Sequence, residues 1–307
     1  MKKKIIIVSI LILLIIVLLL IPKDIYQKIF NKEDPVVEEE SKVYQTVYAQ
    51  DQNGYLVGVK VGLDSIEEDE ISQKWDILTS NSDLLPNGYS SPIDSNTVLH
   101  DYTLEEEVLT FNLSEDFLSS NGRITIECIA WNFCNEEINE VVIKINDEEV
   151  NQINNYYFNK ISKNIGVNLT YDSPYLFETD YSTVIFYEED RIIPVTYFFD
   201  DEIDNITYTL NKIFDEDQNL SDLVSADGYS YEISEDMLVI NINTIVEFNE
   251  LITSSLKETI KQNYKVNGFV INGIDSVLLE QSFIQETTNW YKLNFMSLYL
   301  LFWLLLW

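Results

Sequence analysis

Few side chains in this 307-residue chain are of the types that catalysis or metal binding requires. His100 is its single histidine, so a Ser–His–acid or Cys–His pair would have to use it. It stands between Leu99 and Asp101, where a loop enters a strand, and we assign it no catalytic role. Cys128 and Cys134 are the only cysteines. On a helix over 123–135 they would lie ~9 Å apart along the axis and ~120° around it, too far to bridge. With no histidine nearby they do not form a zinc site either. They read as small apolar residues of a buried helix face. Glu67, Glu68, Asp69 and Glu70 invite a metal reading, but the first turn of a helix attracts carboxylates without one. There is no HExxH, P-loop, GxSxG or dinucleotide-type glycine fingerprint. With 52 acidic residues, spacing alone does not single out a glycosidase-type carboxylate pair. Asn112-Leu-Ser114 and Asn168-Leu-Thr170 fit glycosylation sequons, and we give them no weight. The expectation is a non-enzyme with no catalytic, cofactor-binding or metal-binding residues, no cofactor and no small-molecule substrate.

The elements around these residues are organised about Val108–Phe117 (VLTFNLSEDF). Leu109, Phe111 and Leu113 alternate with Thr110 and Asn112, the period of a strand with one buried face. Ser114, Glu115 and Asp116 follow as a capped, acidic helical turn. Upstream, Val43–Ala49 and Tyr55–Val61 flank Asp51–Gly54, whose Asn-Gly pair is a strong hairpin signal because both residues tolerate positive φ. A helix is expected over Ile66–Ser80, with Ile71, Trp75 and Leu78 on one face. Leu84–Leu99 reads as an ordered loop. A second helix is expected over Arg123–Asn135 and a closing strand over Ile138–Asn146. The module is therefore β-β-α-β-α-β, with the helices on one face of a small mixed sheet, a two-layer α/β (α+β) domain.

A weaker copy follows. Tyr187 aligns with Tyr48 at an offset of 139, and Ile192–Val195 with Leu56–Val59 at 136. Ile203 and Leu210 align with Ile71 and Leu78 at 132, and Leu238, Ile240 and Ile242 with Leu109, Phe111 and Leu113 at 129. Leu256 and Ile260 align with Ile129 and Phe133 at 127, and Ile271–Asn272 with Ile145–Asn146 at 126. An offset that drifts only in loops and element ends is how duplicated domains diverge. Pro194, unable to donate to a ladder, implies an edge or a bulge. The connection Asn151–Tyr181 is rich in tyrosine and phenylalanine and is expected to pack against the domains rather than swing freely.

Met1–Lys4 carries three lysines, and of Ile5–Ile21 only Ser9 is polar. Seventeen residues is the lower limit for a membrane span. Without a small-residue cleavage signal it reads as an uncleaved anchor, the lysines keeping the N-terminus in the cytoplasm and the bulk outside. Glutamates in Asn31–Lys42 make a solvated spacer. Leu293–Trp307 is almost wholly apolar and is assigned no role. The formal net charge of −33 makes nucleic acid an improbable partner, because nothing would neutralise phosphates. The expected organisation is an N-terminal membrane anchor (1–22), an acidic spacer (23–42), domain 1 (43–150), an aromatic-rich connection (151–180), domain 2 (181–281) and a hydrophobic tail (282–307).

Tyr55–Val61 (YLVGVKV), Ser91–Leu99 (SPIDSNTVL) and Leu109–Phe117 (LTFNLSEDF) resemble the GerM domain of sporulation and spore-germination proteins. Ile192–Thr196 (IIPVT) is similar to the family's second strand. The resemblance spans about Val43–Glu149 and Tyr181–Glu280. It implies a membrane-anchored extracytoplasmic protein with tandem domains related to the ring-building motif, whose partners are itself or other assembly proteins between mother-cell and forespore membranes. Such a protein is a scaffold. The competing reading is a cell-wall module that binds or hydrolyses peptidoglycan, which would need a pocket of aromatic rings and two carboxylates ~5–9 Å apart.

Overall fold

Strand alternation and turn chemistry coincide in the first hairpin, formed by β1 (Val43–Asp51) and β2 (Leu56–Leu63). The Asp51 carboxylate accepts from the backbone N–H groups of Asn53 and Tyr55 at 2.8 and 2.9 Å. Of the Asn-Gly pair only Gly54 takes a positive φ, +89°, the left-handed residue that closes a three-residue loop. The computed structural model describes residues 42–283 apart from 173–178, 189, 217–219, 226–227, 244–245 and 275. The expected anchor at Ile5–Ile21, nearly all of the spacer, Tyr175, Phe177 and the tail Leu293–Trp307 lie outside the described residues.

Helix α1 (Glu70–Leu78) is shorter than the acidic run suggested, because Asp69 caps it by accepting from the Ser72 N–H at 3.0 Å. Trp75 and Leu78 are buried beneath it. A short strand, β3 (Tyr89–Ser90), pairs antiparallel with β1. Strands β4 (Leu99–Glu105), β5 (Val108–Leu113), β6 (Glu140–Ile145) and β7 (Glu148–Glu149) follow as a second sheet. The β4–β5 and β6–β7 pairs are antiparallel and β5–β6 is parallel, with α2 (Gly122–Phe133) as the crossover. After β5 the chain makes a 3₁₀ turn, Glu115–Ser119. Ser114 does not cap it; its hydroxyl accepts from the Val98 N–H at 3.0 Å and donates to Asp116 at 3.1 Å.

The second half repeats this order. Strands β11 (Thr179–Tyr187) and β12 (Arg191–Asp200) form its hairpin, followed by α3 (Asn205–Asp215) and a short α4 (Ser221–Ser225). Strands β13 (Tyr229–Ser234), β14 (Met237–Ile242), β15 (Gly268–Asn272) and β16 (Val277–Ser282) pair antiparallel, parallel and antiparallel, with α5 (Glu250–Asn263) crossing between β14 and β15. Two details correct the sequence alignment. Asp204 caps α3 as Asp69 caps α1, an offset of 204 − 69 = 135, so Ile203 is not the equivalent of Ile71 and lies 43% exposed before the helix. Phe111 pairs with Ile143 and Ile240 with Ile271, so Ile271 matches Ile143 rather than Ile145.

The two hairpins do not fold apart. β12 pairs antiparallel with β2 through Arg191↔Val59 and Ile192↔Gly58, giving one sheet in which β12, β2, β1 and β3 follow one another, with β11 on the other side of β12. Here β10 (Thr170–Tyr171) runs parallel to β12. Pro194 is at no bulge, its pairing with Ile185 being in continuous register, but on its other side the ladder to β2 stops at Ile192, which makes it a local edge. Strand β11 is buried on both faces. Val184 and Phe186 pack with the second repeat's core and Ile185 and Tyr187 with the first's. From Tyr44 onward the described residues form one compact unit.

The connection packs on the first repeat, as its composition suggested, through the aromatics Tyr156 and Phe158 and also through aliphatic residues. Ile153, Ile161, Val167 and Phe158 are buried in the first core, while Tyr157 is exposed. It includes a small hairpin, β8 (Gln152–Ile153) with β9 (Tyr156–Tyr157).

Candidate functional site

Each repeat holds its hairpin to its crossover helix through side-chain amides. In the first, Asn132 of α2 accepts from the Tyr48 N–H at 2.9 Å and donates to the Tyr48 carbonyl at 2.8 Å. In the second, Asn263 of α5 does the same to Thr183, at 2.9 and 2.7 Å. Ser255 and Thr259 accept from Tyr187 and Ile185, so one face of α5 satisfies successive N–H groups of β11. An edge strand covered in this way cannot template pairing with another chain.

Between α2, α5 and the shared sheet lies a cleft of about 680 Å³. The sheet contributes Tyr48, Ile185 and Tyr187, the end of α2 and its following turn Trp131 and Cys134 to Asn139, α5 Glu258, Lys261 and Gln262, and the connection Ser162 to Asn164. The Lys163 ammonium sits 4.9 Å from the centre of the Trp131 ring, which also packs against the Tyr48 ring at 5.3 Å. Trp131 is 3% exposed, and its indole N–H has no partner among the described residues. Lys261 of the second repeat forms an ion pair with Glu136 of the first.

Burial and neighbouring charge set the protonation of this wall. Burial, then the charge of Glu258, pushes Tyr187 up to about 12. Burial raises Tyr48 further, helped by Tyr187 and Glu258. Burial pulls Lys163 below the usual lysine range, against the favourable charge of Glu258. Cys134 is pushed up to about 11 by burial, which leaves an inert thiol at neutral pH. Glu136 lies below the usual carboxylate range, chiefly through its hydrogen bond with Lys261.

Of the residues first considered for chemistry, Cys134 lines this cleft and the others lie elsewhere. His100 is exposed in β4, at the irregularity between Leu99 and Asp101. Cys128 and Cys134 are buried and free. Asp69 serves a helix cap and also accepts from the Tyr102 hydroxyl at 2.8 Å. Asp204 accepts from the Tyr231 hydroxyl in the same way. Among the described residues no cluster of three or more His, Cys, Asp or Glu side chains is placed to hold a metal, and no helix is long and apolar enough to cross a membrane. Lys163, Trp131 and Glu258 carried no motif, since they are brought together from three elements far apart in sequence. Asn168, noted only as a sequon, is committed to the backbone. Its carboxamide accepts from the Leu56 N–H at 2.8 Å and donates to the carbonyls of Leu56 and Pro194 at 2.8 and 2.7 Å.

Two α/β modules of one topology, joined through a common sheet, define a tandem-repeat α/β protein. Residues 46–151 match the model of the Germane family, described as "Sporulation and spore germination". The fold is similar to the tandem GerMN domains of the sporulation protein GerM from Bacillus subtilis, at 19% identity and a TM-score of 0.64, over 77% of this chain and 92% of that one. The first GerMN domain of the same protein aligns with 40% of this chain and 98% of its own at 20% identity, with a TM-score of 0.36. A putative lipoprotein from Clostridium perfringens aligns with 40% of this chain and 86% of its own at 16% identity, with a TM-score of 0.26. Neither of these last two carries a fold argument. No curated protein matches the chain.

Proposed function

We propose that this is a membrane-anchored extracytoplasmic scaffold of sporulation or germination, acting through contacts of its tandem domains with further copies or with other assembly proteins. The observation that supports it most is the joining of the repeats by β2 and β12. This leaves β4 and β13 as terminal strands of their sheets among the described residues, each paired on one side only. Leu104 and Ile233 on those strands are exposed at 44% and 57%. Open strand edges on a rigid body are suited to strand-addition contacts. The apolar stretch Ile5–Ile21 supplies the anchor and the glutamate-rich spacer holds the body off the bilayer.

Peptidoglycan hydrolysis is the weaker reading. A glycosidase needs one carboxyl held protonated at neutral pH, whereas the displaced cleft carboxyl, Glu136, is shifted the opposite way.

The test has two arms. Protease added outside intact protoplasts should digest the folded body; full protection would overturn the proposed orientation. Thr103→Pro and Glu232→Pro, which block the β4 and β13 edges, should abolish crosslinking to copies or partners in membranes. Crosslinking that persists in the folded variants would overturn assembly through these edges.

A further inference from the structure

The cleft between the repeats holds a cation, Lys163, that feels the charge of Glu258 but is in direct contact with no carboxylate among the described residues. The Lys163 ammonium lies over the Trp131 ring, and among the described residues it makes no ion pair and no hydrogen bond. Lys261, the other cleft cation, is already paired with Glu136. A partly buried ammonium whose direct contact is a ring, with Glu258 acting on it only at longer range, has lost hydration that these restore in part. A ligand carboxylate would complete it.

The rest of the lining narrows the ligand. Glu137 and Glu258 accept hydrogen bonds and repel multiply charged anions, so the ligand is rich in donors and carries a single negative charge. Asn135 and Gln262 add amides that serve hydroxyl or N-acyl groups. Tyr48 and Tyr187 bring ring surfaces to the sheet side of the cleft. A volume of about 680 Å³ falls within the roughly 300–1,000 Å³ of small-ligand sites.

We propose that this cleft binds a short acidic saccharide, an N-acylated sugar bearing one carboxylate, with Lys163 as counter-ion to that carboxylate and Tyr48 and Tyr187 as surfaces for the sugar's apolar face. The site is independent of assembly through β4 and β13, because it lies between the repeats of one chain.

The test uses the full chain in detergent micelles and three probes. These are N-acetylmuramic acid, N-acetylglucosamine (which lacks the carboxylate) and N-acetylglutamate (a carboxylate without the sugar). N-acetylmuramic acid should bind saturably and about tenfold more tightly than N-acetylglucosamine, the worth of one charge-assisted hydrogen bond. Lys163→Gln should remove that difference and leave N-acetylglucosamine binding unchanged. In the unsubstituted protein, the indole N–H resonance of Trp131 should shift on saturation. Equal affinity for the two sugars, equal affinity for N-acetylglutamate, an unmoved Trp131 resonance or no saturable binding would each overturn the proposal. The resonance needs no variant, so a Lys163→Gln chain that fails to fold still leaves a decisive reading. Loss of crosslinking at β4 and β13 would bear on assembly and leave this site untouched.

Discussion

The side-chain nitrogen of Asn168 donates to the carbonyl of Pro194 at 2.7 Å, at the point where the ladder joining the two repeats breaks. The register Ile192↔Gly58, continued, sets Pro194 opposite Leu56. Proline has no N–H to offer there, and the carboxamide of Asn168 stands in for the missing strand contact by serving both backbone groups of Leu56. Glu127 of α2 orients it, accepting from the Asn168 N–H at 3.3 Å and from Arg123 at 2.5 Å. Burial raises the Glu127 carboxyl, with Arg123 opposing.

Asn168→Ala should therefore loosen the seam between repeats rather than a surface loop. It leaves three backbone groups without partners and places alanine at φ +45°, for a combined loss of about 2–4 kcal/mol. Urea unfolding measures it, and a loss under about 0.5 kcal/mol would show that the splice is dispensable.

Asn132→Leu and Asn263→Leu should each cost about 2–3 kcal/mol, because each strands an N–H and a carbonyl of the neighbouring strand. The two effects should be alike, since the amides do the same work in the two repeats. Chemical denaturation of both single variants is the check; an effect in only one repeat would separate their roles.

Gly58→Ala tests the close approach of the hairpins. An added Cβ would lie 3.0 Å from Tyr48 Cε1 and 3.2 Å from Ile192 Cβ, a crowding worth about 1–3 kcal/mol. Tyr48→Leu should relieve part of it, so a double-mutant cycle should show coupling of about 1 kcal/mol. Additive losses would contradict the contact.

Alkaline pH should weaken the fold. Cys128 and Cys134 are pushed up to about 12 and about 11, and Tyr187 and Tyr197 to about 12, all chiefly by burial. The folded chain thus keeps protons that the unfolded chain releases. Their contribution is complete below about pH 9 and is lost as pH rises toward the folded values. Lys74 and Lys163, lowered by burial, act the other way but are fewer. Urea midpoints should fall between pH 9 and 11, and at pH 8 both thiols should resist iodoacetamide until the chain is denatured.

The N-caps offer an acid-side counterpart. Asp69 lies below the usual range mainly through its Ser72 hydrogen bonds. At Asp204 burial raises the carboxyl, but the bonds from Tyr231 and Thr207 outweigh it and the net shift is downward. Both stabilise the fold above the unfolded carboxylate pKa and lose that contribution as pH falls through their folded values. Asp69→Ala and Asp204→Ala should each cost about 1–2 kcal/mol near neutral pH, with smaller losses in acid.

The sequence by itself determined the local elements and the duplication. Leu109, Phe111 and Leu113 alternate, and their strand has its copy in Leu238, Ile240 and Ile242, because a period of two is written in adjacent residues. The buried role of Cys128 followed from helical spacing in the same way, whereas Cys134 is buried just past the end of α2, in extended backbone. Only the tertiary structure decided that β2 pairs with β12, that Asn168 splices the seam, and that Lys163 meets Trp131 beside Tyr187. Asn168 reaches Leu56 across 112 residues of chain, and no local periodicity encodes a contact made by one carboxamide with a backbone. Backbone groups are alike in every residue, so which of them lack a partner appears only when the strands are laid side by side.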